Sequence, residues 1–254
     1  MRGEPLHDGI VLVILAMAPM VLLALLFIRA PYGRHQKGGF GPSLPARAAW
    51  VVMEIPTLVV FVGAFALGPR RAELVPLVLA ALWLVHYGDR TLLYPLRIRP
   101  SGKPTAWVVA GWGFIFQVAN SYVNGGWLSS EQAAYAPGWL ADPRFVIGAL
   151  LFVAGLVGNR WADHVLRTLR KPGETGYVIP RGGLYELVSC PNYLTETVMW
   201  WGWALATWSL PGLAFALFTS ANLLPRAVSH HRWYREQFGE NYPAERKAVL
   251  PFVL

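Results

Sequence analysis

The stretch AAWVVMEIPTLVVFVGAFAL, residues 48–67, decides the fold. Its length matches the roughly 20 residues that a helix needs to cross the hydrocarbon core of a bilayer, and Glu54 is its only charged residue. An ionisable side chain inside a membrane helix costs roughly 3 kcal/mol on insertion scales, so such residues usually mark functional sites. The stretch therefore predicts a membrane-spanning helix that carries a functional carboxyl group.

The composition of the whole chain also indicates a membrane protein. Of its 254 residues, 55% are apolar and 14% are charged, whereas about a quarter of the residues of a soluble domain are charged. The length suits one domain. Cys190 is the only cysteine, which excludes an intrachain disulfide and a cysteine-built zinc site. His230 and His231 are adjacent and lack further ligands at a suitable spacing, so we expect no metal.

Seven apolar segments predict an all-α, polytopic integral membrane protein, with residues 1–254 forming a single domain. The fifth segment is short and must extend through polar residues towards Arg167. Between the last two segments, Ser209-Leu210-Pro211-Gly212 predicts a tight hairpin, with one long bent helix as the alternative. Six or eight spans are also compatible with the pattern. The segments are residues 9–28, 48–67, 74–96, 106–123, 145–159, 194–208 and 211–224.

The basic residues predict the orientation in the membrane, because Lys and Arg are enriched in cytoplasmic loops. If the N-terminus lies outside, seventeen of the 22 Lys and Arg residues fall on the cytosolic side and four on the outer side. We therefore expect an outside N-terminus and a cytosolic C-terminus, in a bacterial inner membrane or in an endoplasmic reticulum. The net charge of +8 is then a topology signal, and we expect no nucleic-acid partner.

Two of the predicted spans bring polar side chains to a similar depth in the inner half of the bilayer. Glu54 lies about 9 Å from the start of its segment and Tyr87 about 13 Å from the end of the next one, at 1.5 Å per residue. Tyr87, Arg90 and Tyr94 are spaced to share one helical face. If Glu54 were only structural, Arg90 would be its natural partner.

A second polar group follows the fifth segment. Asn159, Asp163, Arg167 and Arg170 are spaced four, four and three residues apart, so they lie along one helical stripe, and Lys171-Pro172-Gly173 is expected to end the helix. Arg side chains suit phosphate, while Asn and Asp suit a ribose or an amide. The alternative is a solvated helix end that carries positive-inside charge.

Sequence motifs of other nucleotide-binding and hydrolytic folds are absent from the chain. It contains no G-x-G-x-x-G after a strand and no P-loop. It also lacks the G-x-S-x-G nucleophile elbow and the H-E-x-x-H helix. A nucleotide bound here would therefore not sit on a Rossmann fold.

At these residues the chain resembles the steroid 5α-reductases, along nearly its whole length. The resemblance is carried by LPARAAW at residues 44–50, by VHYGDRTLLYPL at residues 85–96, and by NRWADHVLRTLRKPGETGYVIPRGGLYELVSCPNYLTE at residues 159–196. The C-terminal half alone is similar to a broader set of membrane reductases and methyltransferases. The segments around Glu54 and Tyr87 make the narrower match.

The resemblance implies a seven-helix membrane enzyme that reduces the C4–C5 double bond of 3-oxo-Δ4-steroids, such as testosterone or progesterone, with NADPH. Glu54 and Tyr87 match the pair that holds the 3-ketone while hydride adds to C5. Trp50 and Phe114 match positions that line the steroid cavity. The cavity is expected mainly from residues 1–125, and the cofactor site mainly from residues 155–254.

The partners implied are the steroid and the lipid bilayer, with no obligate protein partner. Together with Arg167 from the helical stripe, the positions that match the cofactor pocket of the family give the expected NADPH-binding residues. These are Arg90, Asn159, Asp163, Arg167, Arg170, Tyr177, Asn192, Glu196, Arg226, His230 and Tyr234.

Three alternative functions are compatible with parts of the sequence. A related membrane reductase acting on an enoyl thioester or a sterol side chain would share the cofactor residues. A methyltransferase using S-adenosylmethionine would share the C-terminal half without requiring Glu54 and Tyr87. A transporter or channel would need a polar path to the outer face, for which Asn120 and Asn124 are among the few hints.

Overall fold

A computed structural model describes residues 5–28, 41–97, 104–170, 174 and 176–254. These residues form seven long helical units, which agrees with the predicted all-α class. Two very short antiparallel strands, β1 (Ser43–Leu44) and β2 (Thr105–Ala106), tie together the starts of two of the units. The helices are α1 Pro5–Phe27, α2 Ala46–Glu54, α3 Pro56–Leu67, α4 Leu74–Gly88, α5 Tyr94–Arg97, α6 Trp107–Leu128, α7 Pro143–Thr168, α8 Pro191–Thr207 and α9 Leu210–Phe238.

Within the described ranges, three helical segments are long and apolar enough to cross a membrane by length and composition alone. They are Pro5–Phe27, Ala46–Leu67 and Pro143–Thr168. The second of these combines α2 and α3 and contains residues 48–67 with Glu54. The count of seven spans and the orientation of the termini stay predictions.

The helices match the apolar segments except at their ends. The fifth extends past Arg167, as predicted, because α7 runs to Thr168. The predicted hairpin separates α8 from α9: Trp208 is left-handed, with φ 43°, and Ser209 caps the backbone N–H of Gly212 at 3.0 Å. The polar sequence after residue 224 continues as helix to Phe238. The predicted helix end at Lys171-Pro172-Gly173 lies outside the described residues.

A break between α2 and α3 lies directly after Glu54. Pro56 has no N–H and begins α3, so the helical hydrogen-bond ladder is interrupted at this point. The carbonyl of Glu54 instead accepts hydrogen bonds from the hydroxyls of Thr57, at 2.5 Å, and Thr91, at 3.3 Å. The break therefore fixes the backbone of Glu54 against the helix that carries Arg90.

A single π-helical turn, Asp89–Leu93, joins α4 to α5. Such turns are rare and frequently lie at functional sites. The Asp89 carboxylate accepts from Arg97 at 3.0 Å and lies 3.4 Å from the guanidinium of Arg160 on α7. The turn is thus held against α7 on the side that carries the predicted cofactor residues.

Glycines allow α7 and α8 to pack backbone against backbone. A Cβ at Gly155 would lie 2.6 Å from the backbone nitrogen of Met199, and one at Gly202 would lie 2.5 Å from that of Phe152. Small residues permit such close approach between membrane helices. Asn159, one turn beyond Gly155, is thereby brought against the first turns of α8.

Candidate active site

Glu54 and Tyr87 come together where α2, α4 and α6 meet. Gln117 on α6 lies between them: its Nε2 donates to Oε2 of Glu54 at 3.2 Å, and its side chain also interacts with Tyr87. Glu54 and Tyr87 lie close enough for direct electrostatic interaction. The two residues predicted to be catalytic therefore lie close together, and the neutral amide of Gln117 contacts both of them.

The ring of Tyr87 is held by an aromatic core. It is 3% exposed, and its centroid lies 4.7 Å from that of Trp83 and 5.6 Å from that of Trp200. The ring of His86 packs edge-on against Tyr87 at 4.7 Å and against Trp200 at 5.1 Å. This packing leaves the Tyr87 ring little freedom, which is what a preorganised hydroxyl requires.

Arg90 is the centre of the charged part of the site. Its guanidinium donates to Asp163 at 2.7 Å and lies 3.8 Å from the carboxylate of Glu196. It stacks over the rings of Trp50, at 4.8 Å, and Tyr94, at 4.4 Å. Its direct carboxylate partner is thus Asp163 on α7, while Glu54 interacts with Arg90 over a longer range.

Asn159 and Asn192 extend this group across α7 and α8. The amide of Asn159 donates to the backbone carbonyl of Asn192 at 3.0 Å and lies 3.5 Å from Oε2 of Glu196. Asn159 and Asp163 are 3% and 7% exposed. Four predicted cofactor residues therefore form one polar cluster beside Glu54, joined by the backbone carbonyl of Asn192: Arg90, Asn159, Asp163 and Glu196.

A cavity of about 280 Å³ lies between the α4–α5 segment and α7, next to this cluster. Arg90, Asn159, Asp163 and Arg167 are among its lining residues. It is the place where the structure puts Arg167. Its lining combines guanidinium, amide and carboxylate groups, which suits a polar or anionic ligand.

Arg226 and His230 lie on α9, and both contact Tyr193 on α8. The guanidinium of Arg226 lies 5.5 Å from the centroid of the Tyr193 ring and 3.4 Å from the amide oxygen of Asn222. The Tyr193 hydroxyl is 3.2 Å from Nε2 of His230. Tyr193 directly follows Asn192 in α8, so these contacts lie next to the polar cluster.

The remaining predicted residues have other neighbours. Arg170 donates to the backbone carbonyl of Gly176 at 2.8 Å, and Tyr177 packs edge-on against Trp233 at 4.5 Å. The ring of Tyr234, which is buried, stacks on that of Tyr242 at 5.4 Å. Phe114 is 39% exposed on α6. Their contacts with cofactor or steroid stay predictions.

The sequence alone did not indicate a role for Gln117 or a polar network at the C-terminal end of α9. The available signal for Gln117 was an amide side chain in the mainly apolar stretch GFIFQVAN, three residues before Asn120. In the second network, Ser189 Oγ lies 2.6 Å from both Nδ1 of His231 and the hydroxyl of Tyr242. Burial lowers the pKa of His231, which lies beyond the predicted span, and nearby positive charges lower it further; these belong to Arg235, Arg246 and Lys247.

Comparison with known proteins assigns the chain to a family. Residues 103–254 match the family described as 3-oxo-5-alpha-steroid 4-dehydrogenase. The chain is 45% identical to 3-oxo-5-alpha-steroid 4-dehydrogenase 1 of Bos taurus over 98% of its own length and 97% of that protein. It is 42% identical to the steroid 5-alpha-reductase DET2 of Arabidopsis thaliana, over 92% of each chain. With the family profile and both relatives in agreement along the chain, this protein belongs to the 3-oxo-5-alpha-steroid 4-dehydrogenase family of oxidoreductases.

Proposed function

We propose that this protein reduces the C4–C5 double bond of 3-oxo-Δ4-steroids to 5α-dihydrosteroids, with NADPH as the cofactor. The observation that carries the proposal is the pairing of half-buried Glu54 with buried Tyr87 beside the charged cluster around Arg90. An enone requires a hydrogen-bond donor at its oxygen, and a phenol backed by a carboxyl group is such a donor. The names of the Bos taurus and Arabidopsis thaliana relatives refer to the same reaction.

The role of Tyr87 and Glu54 follows from where charge develops. Hydride adds to C5, at the far end of the enone, so negative charge accumulates on the oxygen at C3. The Tyr87 hydroxyl donates a hydrogen bond to this oxygen, and Glu54 shares or orients the proton. One preorganised donor of this kind contributes about 3 kcal/mol to stabilisation of the transition state. The proton that completes C4 comes from water.

The side chains around the α7–α8 contact fit a nicotinamide dinucleotide in their chemistry. Asn159, Asp163 and Glu196 offer amide and carboxylate groups for a carboxamide or ribose hydroxyls, and Arg170 and Arg226 are suited to phosphates. When bound, NADPH supplies the hydride. Arg90 holds Asp163 and Glu196 in place through its two carboxylate contacts.

The cofactor set also includes residues that surround this contact. With Arg90, we include in the cofactor site five residues that lie on or beside α7, α8 and α9: Arg167, Asn192, Tyr177, His230 and Tyr234. We assign the steroid cavity mainly to residues 1–125, with Trp50 and Phe114 in its lining, and the cofactor site mainly to residues 155–254. A charged dinucleotide then enters from the cytosol, and an apolar steroid enters from the lipid.

The deciding experiment is turnover by the purified protein in detergent. We expect NADPH and testosterone or progesterone to give the 5α-dihydro product, identified by mass spectrometry and by comparison with the 5α and 5β standards. Unchanged steroid from folded protein that binds NADPH would reject the steroid assignment. Reduction of an enoyl thioester instead would favour a related reductase, and thermal stabilisation by S-adenosylmethionine but not by NADPH would favour a methyltransferase.

A further inference from the structure

A chain of hydrogen-bonded side chains runs from α8 to Glu54 along one face of α6. The indole N–H of Trp203 donates to Oδ1 of Asn124 at 2.9 Å. The amide nitrogen of Asn124 donates to Oδ1 of Asn120 at 3.0 Å. Asn120 donates to Oε1 of Gln117 at 3.4 Å, and Gln117 donates to Oε2 of Glu54 at 3.2 Å. We call these four residues, from Trp203 to Gln117, the amide relay.

The amide relay has a direction that its first member fixes. An indole nitrogen can only donate a hydrogen bond, whereas an Asn or Gln amide can be turned to present either its oxygen or its nitrogen. Because Trp203 donates, Asn124 must present its oxygen to Trp203 and its nitrogen to Asn120. The Asn124 nitrogen also donates to the backbone carbonyl of Asn120 at 3.0 Å. Because this nitrogen also faces Oδ1 of Asn120, Asn120 turns its own nitrogen to Gln117, and the nitrogen of Gln117 is left to face Glu54.

Burial makes this direction costly to reverse. Asn120, Asn124 and Trp203 are 0%, 2% and 0% exposed. Turning any one amide would place oxygen against oxygen or nitrogen against nitrogen, and it would leave buried polar groups unsatisfied. In the sequence, Asn120 and Asn124 were hints of a polar path to the outer face. In the structure their side chains hydrogen-bond to each other, and Asn124 also accepts from Trp203.

We propose that Gln117 is a positioning residue for Glu54 and that the amide relay holds its N–H group towards the carboxyl. This inference rests on the proposed function, because it assigns Gln117 a role through Glu54. Donation to Oε2 fixes the rotamer of Glu54 beside Tyr87. A reversed Gln117 would present its oxygen to Oε2, which disfavours the carboxylate and weakens the orientation of the pair.

The test is a double-mutant cycle on turnover. Gln117→Met keeps the length of the side chain and removes the amide, and we expect kcat to fall about tenfold or more, as misplacement of a catalytic group does, with the KM for NADPH unchanged. Trp203→Phe keeps an aromatic ring but removes the N–H along with part of the indole, and we expect a severalfold loss of kcat. In the Gln117→Met background, Trp203→Phe should cause no further loss, because the relay then ends before Glu54.

Trp139→Phe is the matched control. Trp139 is also buried, and its indole donates to the carbonyl of Ala206 at 3.0 Å, away from Glu54. Its effect on kcat should be small and equal in both backgrounds. If Trp203→Phe lowers kcat by the same factor with and without the Gln117 amide, its effect passes through packing and the relay is rejected.

Glu54→Gln, measured in parallel, separates this inference from the proposed function. A wild-type rate for Glu54→Gln, or no steroid turnover by the wild-type protein, would overturn the proposed function. Turnover that depends on Glu54 but is unchanged by Gln117→Met would overturn the positioning role alone.

Discussion

Among single residues, Tyr87 and Glu54 can be tested by replacements that keep their shape. Tyr87→Phe removes one hydroxyl from a ring held by Trp83 and Trp200, and Glu54→Gln removes the acidic proton or the charge. We expect each change to lower kcat for steroid reduction by roughly 10²-fold or more, as loss of one oxyanion donor does. Steady-state kinetics on the purified variants would check this.

Tyr135→Phe provides the matched control for this pair. The Tyr135 hydroxyl donates to the carbonyl of Thr207 at 2.9 Å, away from the Glu54 site. We expect Tyr135→Phe to keep the wild-type rate of steroid reduction. Wild-type rates for both Tyr87→Phe and Glu54→Gln would remove these two side chains from the chemistry.

Arg170 is a second residue with a separable effect. We expect Arg170→Ala to raise the KM for NADPH more than it lowers kcat, because a phosphate far from the reacting carbon contributes binding energy before and during the reaction alike. Initial rates at varied NADPH concentration give both constants. Arg71→Ala is the control, since Arg71 contacts the carbonyl of Gly68 on the opposite side of the bundle. A lowered kcat at unchanged KM would argue against a phosphate contact.

His231 gives a pH dependence of stability. Its pKa is lowered from the ordinary value of 6.5 in the folded protein, so the unfolded chain binds the proton more readily. Its contribution to stability is therefore present above about pH 6.5 and is lost as pH falls towards the lowered folded value. We expect the Tm in detergent to drop between pH 7 and pH 5.5, and to drop less in His231→Gln. Equal slopes for the two proteins would contradict this.

At the scale of elements, hydrophobic patterning was enough to find the helical segments but not their irregularities. An apolar run shows where a helix can cross lipid, and the carboxyl in the run at residues 48–67 pointed to the site. Nothing local shows that Gly88 is followed by a π-helical turn, and a contact of this turn, Asp89 with Arg160, is made with another helix. Gln117 was missed for the same reason, because a neutral amide gains its meaning only from partners on α2 and α8.

The α7–α8 contact is the element on which the cofactor cluster depends. We expect Gly155→Ala to lower stability by about 1–3 kcal/mol, as overpacking does, because the new Cβ would lie 2.6 Å from the Met199 backbone. The helices would have to separate near Asn159, so the KM for NADPH should rise as well. Thermal unfolding and initial rates measure the two effects.

Gly126→Ala on α6 is the matched control for the glycine contact. A Cβ at Gly126 meets nothing within 4 Å, and alanine favours helix more than glycine does. We expect this change to leave stability equal or raised, with wild-type kinetics. If Gly155→Ala behaves in the same way, close packing of α7 on α8 does not hold the cluster.

At the scale of the whole molecule, the distribution of charge and the position of the site both bear on how the two ligands would enter. Seventeen of the 22 basic residues fall on the side predicted to be cytosolic, and the Arg90 cluster lies in the half of the bundle nearest to them. The residues proposed to meet the steroid come from α2, α4 and α6, whereas most of the cofactor residues come from α7, α8 and α9. A nucleotide from the cytosol and a steroid from the bilayer can reach one another only if the bundle has the predicted orientation.

That orientation can be measured by labelling single cysteines, because Cys190 is the only native one. In a Cys190→Ala background, Ala136→Cys lies in the exposed loop before α7 and Glu240→Cys lies in the exposed segment after α9. Three crossings by α7, α8 and α9 should put the two positions on opposite sides of the membrane. We expect a membrane-impermeant maleimide to label Ala136→Cys in intact cells and Glu240→Cys only after permeabilisation. Labelling of both from outside would mean an even number of crossings, and the reverse pattern would place the charged cluster, and with it the proposed entry of NADPH, on the wrong side of the bilayer.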